Sequence, residues 1–135
     1  MNVVIQKHPE GCGLACAAML ADRTYDEITE IAAHLNIHAG DKELYGTTEP
    51  IRRLLFKLDI PVAPTEKPFD NWNRLPDRAL LATKWHLEQG KPFWHWVVFV
   101  RDDTGPAVLD PAAFLKMNRR KDIAAIKPKW FIEIL

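Results

Sequence analysis

Cys12 stands between Gly11 and Gly13, where the loop K-H-P-E-G runs into the small apolar stretch C-G-L-A-C-A-A-M-L-A. Pro9 biases His8 away from helix, so a helix is expected to open at Cys12. The first N–H groups of a helix are unpaired and carry positive partial charge, which favours a thiolate there and makes the sulfur a nucleophile. The same groups suit a developing oxyanion, and the flanking glycines leave room for a substrate backbone. Cys16, one turn deeper among alanines, reads as a small core residue. Taken singly, Cys12 is a weak signal and reads first as a buried core thiol, because free cysteine is among the most buried residue types.

A catalytic thiol needs a base and a group to orient that base. His95 opens H-W-V-V-F-V-R, the strongest strand pattern in the chain, and alternation puts it on one face with Val97 and Phe99. Trp96, Val98 and Val100 face the other way. If Asp103 and Thr104 form the tip of the following hairpin, Asp110 falls opposite Val97, diagonal to His95 and about 7–8 Å from it along the backbone. A carboxylate and an imidazole can hydrogen-bond at that separation, provided no bulge shifts the register. On their own, His95 reads as a half-exposed strand end and Asp110 as an Asp-Pro turn starter. Together with Cys12 they fit the nucleophile, base and orienter of acyl-transfer enzymes. His8, His34, His38 and His86 are the rival bases.

The elements that must position these residues follow from periodicity and capping. The stretch from Cys12 is apolar on nearly every side and predicts a buried, central helix. Thr24-Tyr25-Asp26-Glu27 has capping-box spacing and opens an amphipathic helix to about Asn36, with Ile28, Ile31, Ala32 and Leu35 inward. Thr48 is expected to cap a further helix, with Pro50 in its first turn and Ile51, Leu54, Leu55 and Leu58 inward. Asn2 to Gln6 reads as a short extended run. After Asp59 the period changes to that of strands, expected at Ile60–Ala63, Ala79–Trp85, His95–Arg101, Pro106–Asp110 and Trp130–Leu135. A proline-bearing loop covers Pro64 to Pro76, and Ala112 to Ile126 reads as partly helical. Helices first and antiparallel strands afterwards predict one α+β domain over 1–135, its helical part about 12–58 and its sheet part about 60–135.

The bulk properties exclude several function classes. Apolar residues make up 47% of the chain and charged residues 27%, the balance of a packed globular domain. Lysine plus arginine number 18 and aspartate plus glutamate 18, so the field that attracts nucleic acid or an anionic membrane is missing. The basic run Lys116 to Lys121 is interrupted at once by Asp122 and reads as a solvated turn or helix start. No apolar run approaches the roughly 18 residues of a membrane span, and no secretory signal opens the chain, so a cytoplasmic protein is expected. The two cysteines are too close for a disulfide framework. Neither C-x-x-C nor H-E-x-x-H occurs, so no metal or cofactor is expected. Trp94 and Trp96 are expected in the core, and Trp72, in its loop, as a mobile substrate contact.

Three blocks of the sequence resemble the double-glycine leader peptidases that process bacteriocin precursors, a group within the papain-like cysteine proteases. They are Gln6, then five residues, then Cys12 in E-G-C-G-L-A-C-A-A-M-L, H-W-V-V-F at His95, and V-L-D-P at Asp110, in the order of that family. The resemblance implies a papain-like fold and a Cys12-His95-Asp110 triad. It also implies that Gln6 lends a side-chain amide to the oxyanion hole, where the residue's neighbourhood alone indicates only a polar strand end. The chain departs from the family in having Gly11 where aspartate usually precedes the cysteine, with Glu10 one place earlier. The transporter domains to which well-known members are fused do not occur in these 135 residues.

The function expected on these grounds is hydrolysis of a peptide or amide bond through a thioester, with a peptide or protein as substrate. Leader-peptide processing, cleavage of another protein, and a papain-fold effector or toxin are the roles left open. A transporter, immunity protein or other regulator is the partner class that goes with them. The alternatives are an acyltransferase, transglutaminase or glutamine deamidase using the same triad, and an inactive papain-like binding domain.

Overall fold

The computed structural model describes the backbone of residues 1–135 and every side chain except that of Tyr45. The architecture is α+β: helices α1 (Cys12–Ala21), α2 (Tyr25–His34) and α3 (Glu49–Lys57) precede a six-stranded antiparallel sheet. Its strands are β1 (Lys67–Pro68), β2 (Arg78–Glu88), β3 (Lys91–Asp102), β4 (Gly105–Leu109), β5 (Arg119–Arg120) and β6 (Trp130–Glu133), in the spatial order β1-β6-β2-β3-β4-β5.

The sheet is covered on both faces, and period-2 alternation divides its side chains between two cores. Leu80, Ala82, Trp94, Trp96, Val98 and Leu109 pack against the helices. Ala79, Leu81, Val97, Phe99 and Val108 face a second core roofed by Phe69, Trp72, Ile123 and Ile126. Trp72 is therefore packing rather than a free substrate contact, its ring centroid 5.8 Å from that of Phe99. Trp94 and Trp96 pack edge-on to each other at 5.7 Å and each also meets Trp130. In α1 every residue from Cys12 to Leu20 is buried, as its uniformly apolar sequence demands. The Thr24–Glu27 capping box closes both ways at the start of α2.

Several expected boundaries differ. The second helix stops at His34, with Leu35 as its cap, because Asn36 turns to a positive φ of 60°. The Thr48 side chain caps nothing; it lies one residue before α3 in helical backbone geometry, and its hydroxyl accepts from Arg52 Nε instead. Ile60–Ala63 makes only a single bridge, Val62 to Ile134, because Pro61 and Pro64 lack the donors a ladder needs. Asn2–Gln6 joins no strand and is tied down through Gln6 N–H to the Pro111 carbonyl. The partly helical expectation for Ala112–Ile126 reduces to one 3-10 turn at Ile123–Ala125 and the two residues of β5. Asn118 accounts for part of this, since its side-chain amide takes the Asp110 and Ala112 carbonyls that a helix would use.

Candidate active site

The β3–β4 hairpin turns at Asp103-Thr104, and its ladder pairs Asp102 with Gly105, Val100 with Ala107 and Val98 with Leu109. That register carries Asp110 to the His95 side of the hairpin, where His95 Nε2 lies 2.8 Å from Asp110 Oδ1. β4 stops at Leu109, so the edge of β3 is open at His95 and Trp96. The first turn of α1 enters this opening: the Trp96 N–H donates to Cys12 Sγ at 3.5 Å, which sets the sulfur close enough to the His95 ring to favour its charged form. With Nε2 held by Asp110, Nδ1 is the nitrogen on the sulfur side. Gly11, the N-cap of α1, has no side chain to cap it, so among the described residues no side-chain cap occupies the first-turn N–H groups beside the thiol.

Charge in this cluster is organised by hydrogen bonds against burial. Asp110 is 2% exposed. Burial alone would raise its carboxyl, but the His95 hydrogen bond and charge, the Ala112 N–H and Arg120 outweigh that and hold it below the ordinary carboxylate value. Oδ1 also accepts from Ala112 N–H at 3.0 Å, while Oδ2 faces Arg120 Nη1 at 3.3 Å. Burial likewise opposes the His95 imidazolium, yet the bonds to Asp110 and Cys12 and their charges raise it to about 9. Burial pushes the Cys16 thiol well up, and no part of that side chain is exposed.

Three of the four rival histidines are engaged elsewhere. His8 Nδ1 lies 2.8 Å from Tyr25 Oη, His38 Nε2 3.2 Å from Asn36, and His86 Nε2 2.8 Å from Glu88. Of the candidate bases, only His95 adjoins the thiol. The Gln6 amide is engaged by the loop before α1: its Nε2 donates to the His8 and Pro9 carbonyls at 3.0 and 3.1 Å, and its buried Oε1 has no partner among the described residues.

No protein-family model matches the chain, and no curated protein matches it. Among the described residues no group of three or more His, Cys, Asp or Glu side chains could hold a metal, and no helix is long and apolar enough to cross a membrane.

Two participants escaped the sequence reading. Arg120, in the basic run Lys116 to Lys121, is no solvated turn residue: it stands in β5 and grips both Asp110 and Asp122. No local pattern marks it, because the contact depends on β5 returning to pair Leu109 with Arg119. Tyr25, which reads as an ordinary first-turn residue of α2, puts its hydroxyl into the space beside Gly11. A Cβ on Gly11 would meet Tyr25 Oη, and the next nearest atom is the His8 carbonyl oxygen at 3.1 Å. Burial raises the Tyr25 hydroxyl, and the N–H groups of Lys7 and His8 partly offset it by donating to the phenol oxygen. The loop before Cys12 is thus anchored on α2.

The His95 shift carries a stability prediction. A raised imidazole stabilises the folded state fully below its unfolded value of about 6.5 and loses that contribution as pH rises through about 9. The lowered Asp110 carboxyl works in the opposite direction: its contribution is present above about 3.8 and disappears as pH falls through the depressed value. Urea midpoints are expected to fall between pH 7 and 10, and the alkaline step to flatten in His95→Gln. An unchanged step in that variant would assign the alkaline loss to other groups.

Proposed function

We propose that the chain is a papain-like cysteine peptidase. The observation that carries the reading is the contiguous chain of Cys12 sulfur, His95 ring and a nearly inaccessible Asp110 carboxylate, with Nε2 and Oδ1 2.8 Å apart. A buried carboxylate that accepts from the far N–H fixes the orientation and tautomer of the ring and stabilises the imidazolium formed when the near nitrogen gains a proton. His95 Nδ1 takes the Cys12 proton, and the thiolate forms a C–S bond to the substrate carbonyl carbon, whose π electrons move onto oxygen. The oxyanion is received by first-turn N–H groups of α1. On collapse the C–N bond breaks, and the imidazolium gives its proton to the departing amine. Water, deprotonated by the same ring, then attacks the thioester and releases the acid and the Cys12 thiol.

In this reading Gln6 supplies a further oxyanion donor by turning one of the two hydrogens it gives to the His8 and Pro9 carbonyls. Loss of one such donor costs on the order of 3 kcal/mol in transition-state stabilisation in comparable enzymes. The group it resembles, the double-glycine leader peptidases, makes a Gly-Gly peptide the first substrate to try. Iodoacetamide at neutral pH is expected to alkylate Cys12 and spare buried Cys16, located by peptide mass. Hydrolysis is expected to vanish in Cys12→Ala and persist in Cys16→Ala; undiminished turnover without the Cys12 sulfur overturns the assignment.

A further inference from the structure

The triad ends on a cavity whose charge the chain as a whole does not have. The sequence is formally neutral, yet the cavity of about 650 Å³ against Asp110 is lined by Lys84, Lys127, Lys129 and Arg120, with Trp85 as its aromatic wall. Its single acidic lining residue is Asp110, already taken by His95, the Ala112 N–H and Arg120. Arg120 in turn spends its other nitrogens on Asp122, at 2.9 and 3.2 Å. Among the described residues Lys84, Lys127 and Lys129 form no ion pair, which leaves three cations around one concavity without a carboxylate partner there.

Two of these lysines are held in place by aromatic faces. Lys129 Nζ lies 4.5 Å from the centre of the Trp85 ring, and Lys84 Nζ 5.2 Å from that of Phe114. Lys84 and Trp85 are neighbours in β2, and regular alternation would send them to opposite faces. They line the same cavity because the β2–β3 register slips between Thr83 and His86, with Lys84 in the left-handed region at φ 53°. A strained, non-glycine bulge that turns an unpaired lysine into a cleft beside the triad marks a place built for an anion.

The position of the cavity says which part of a substrate reaches it. Nδ1 of His95 faces the sulfur, whereas Asp110, on the opposite nitrogen, lines the cavity. The acyl half of a substrate stays on Cys12, and the leaving amine must sit over the imidazolium to receive its proton. Chain continuing beyond that amine arrives at the lysines. Resting on the peptidase reading, we propose that the cavity receives acidic side chains of the peptide substrate on the C-terminal side of the scissile bond.

The test uses fluorescein-labelled peptides in which Gly-Gly is followed by a short run of Glu, Gln or Lys, read by anisotropy with the Cys12→Ala protein so that the probe stays intact. The glutamate peptide is expected to bind about tenfold tighter than the glutamine peptide, the combined effect of three solvent-facing ion pairs. Raising salt to about 0.5 M should erase the difference. In Cys12→Ala carrying Lys127→Glu and Lys129→Glu, both at exposed positions, the order is expected to invert in favour of the lysine peptide. Equal binding of the three peptides, a preference that survives the charge reversal, or tighter binding of an oligothymidylate of equal charge each overturns the proposal. Cleavage of the same peptides by the unmodified protein is followed separately. Charge-selective binding without cleavage rejects the peptidase and keeps the anion cavity, and cleavage without charge preference does the reverse.

Discussion

Asp110→Asn is expected to lower kcat/KM by up to about 10⁴ while leaving the protein folded, because a neutral amide keeps the shape but cannot hold an imidazolium. The side chain is 3% exposed and meets His95, Arg120 and the Ala112 N–H, so the substituted amide must present its NH₂ to at least one donor. If the amide oxygen takes the Oδ2 place beside Arg120, the NH₂ takes the Oδ1 place, facing the Ala112 N–H and His95 Nε2, and imposes the tautomer with its proton on Nδ1, which cannot take the Cys12 proton. Two readouts separate catalysis from stability. The rate of iodoacetamide alkylation of Cys12 at pH 7 should fall with turnover, since both depend on the imidazolium beside the sulfur. The apparent pKa of the alkaline limb of kcat/KM, expected near 9 in the unmodified protein, should move down toward the ordinary imidazole value. Loss of turnover with an unchanged alkylation rate and pH limb would remove Asp110 from its orienting role.

Gly11→Ala should destabilise the fold by about 3 kcal/mol. Its Cβ would overlap the Tyr25 hydroxyl, and Tyr25 is 3% exposed, so the ring has nowhere to swing. Overpacking of this kind costs about 1–3 kcal/mol, and alanine is also a poor residue at the N-cap of α1, which Gly11 occupies. The loss concerns function as well as stability, because the displaced loop carries the Cys12 backbone. The double variant Gly11→Ala, Tyr25→Phe should recover part of the single variant's loss. Removing the hydroxyl leaves ring carbon Cζ as the nearest obstacle, 3.2 Å from the new Cβ. A coupling of at least about 1 kcal/mol in urea titrations is expected, and strict additivity of the two changes would refute the contact.

Much of the site was readable from the chain because its geometry is local. His95 and Asp110 lie on one hairpin, and Asp102-Asp103-Thr104-Gly105 determines the turn, so the register of β3 and β4 follows from sequence distance alone. The buried character of α1 was equally legible, since a segment apolar on every side has no face for water. What the sequence left open is whatever depends on partners far along the chain. Arg120 reaches Asp110 only because β5 returns to the edge of β4, and Tyr25 fills the place beside Gly11 only because α2 packs across α1.

Gln6 marks the boundary between the two kinds of information. Its spacing to Cys12 carries the resemblance to a peptidase family, yet the folded chain aims its amide at the carbonyls of His8 and Pro9. Sequence determined which residue types could do acyl chemistry and, through strand alternation and one tight turn, that a histidine and an aspartate share a face. Tertiary structure alone decided that the Cys12 sulfur enters the gap where β4 ends, and that three unpaired lysines gather beside Asp110. Alternation and turn chemistry act over a few residues, whereas the packing of α1 on β3 and the return of the chain after Asp110 join groups that nothing local connects.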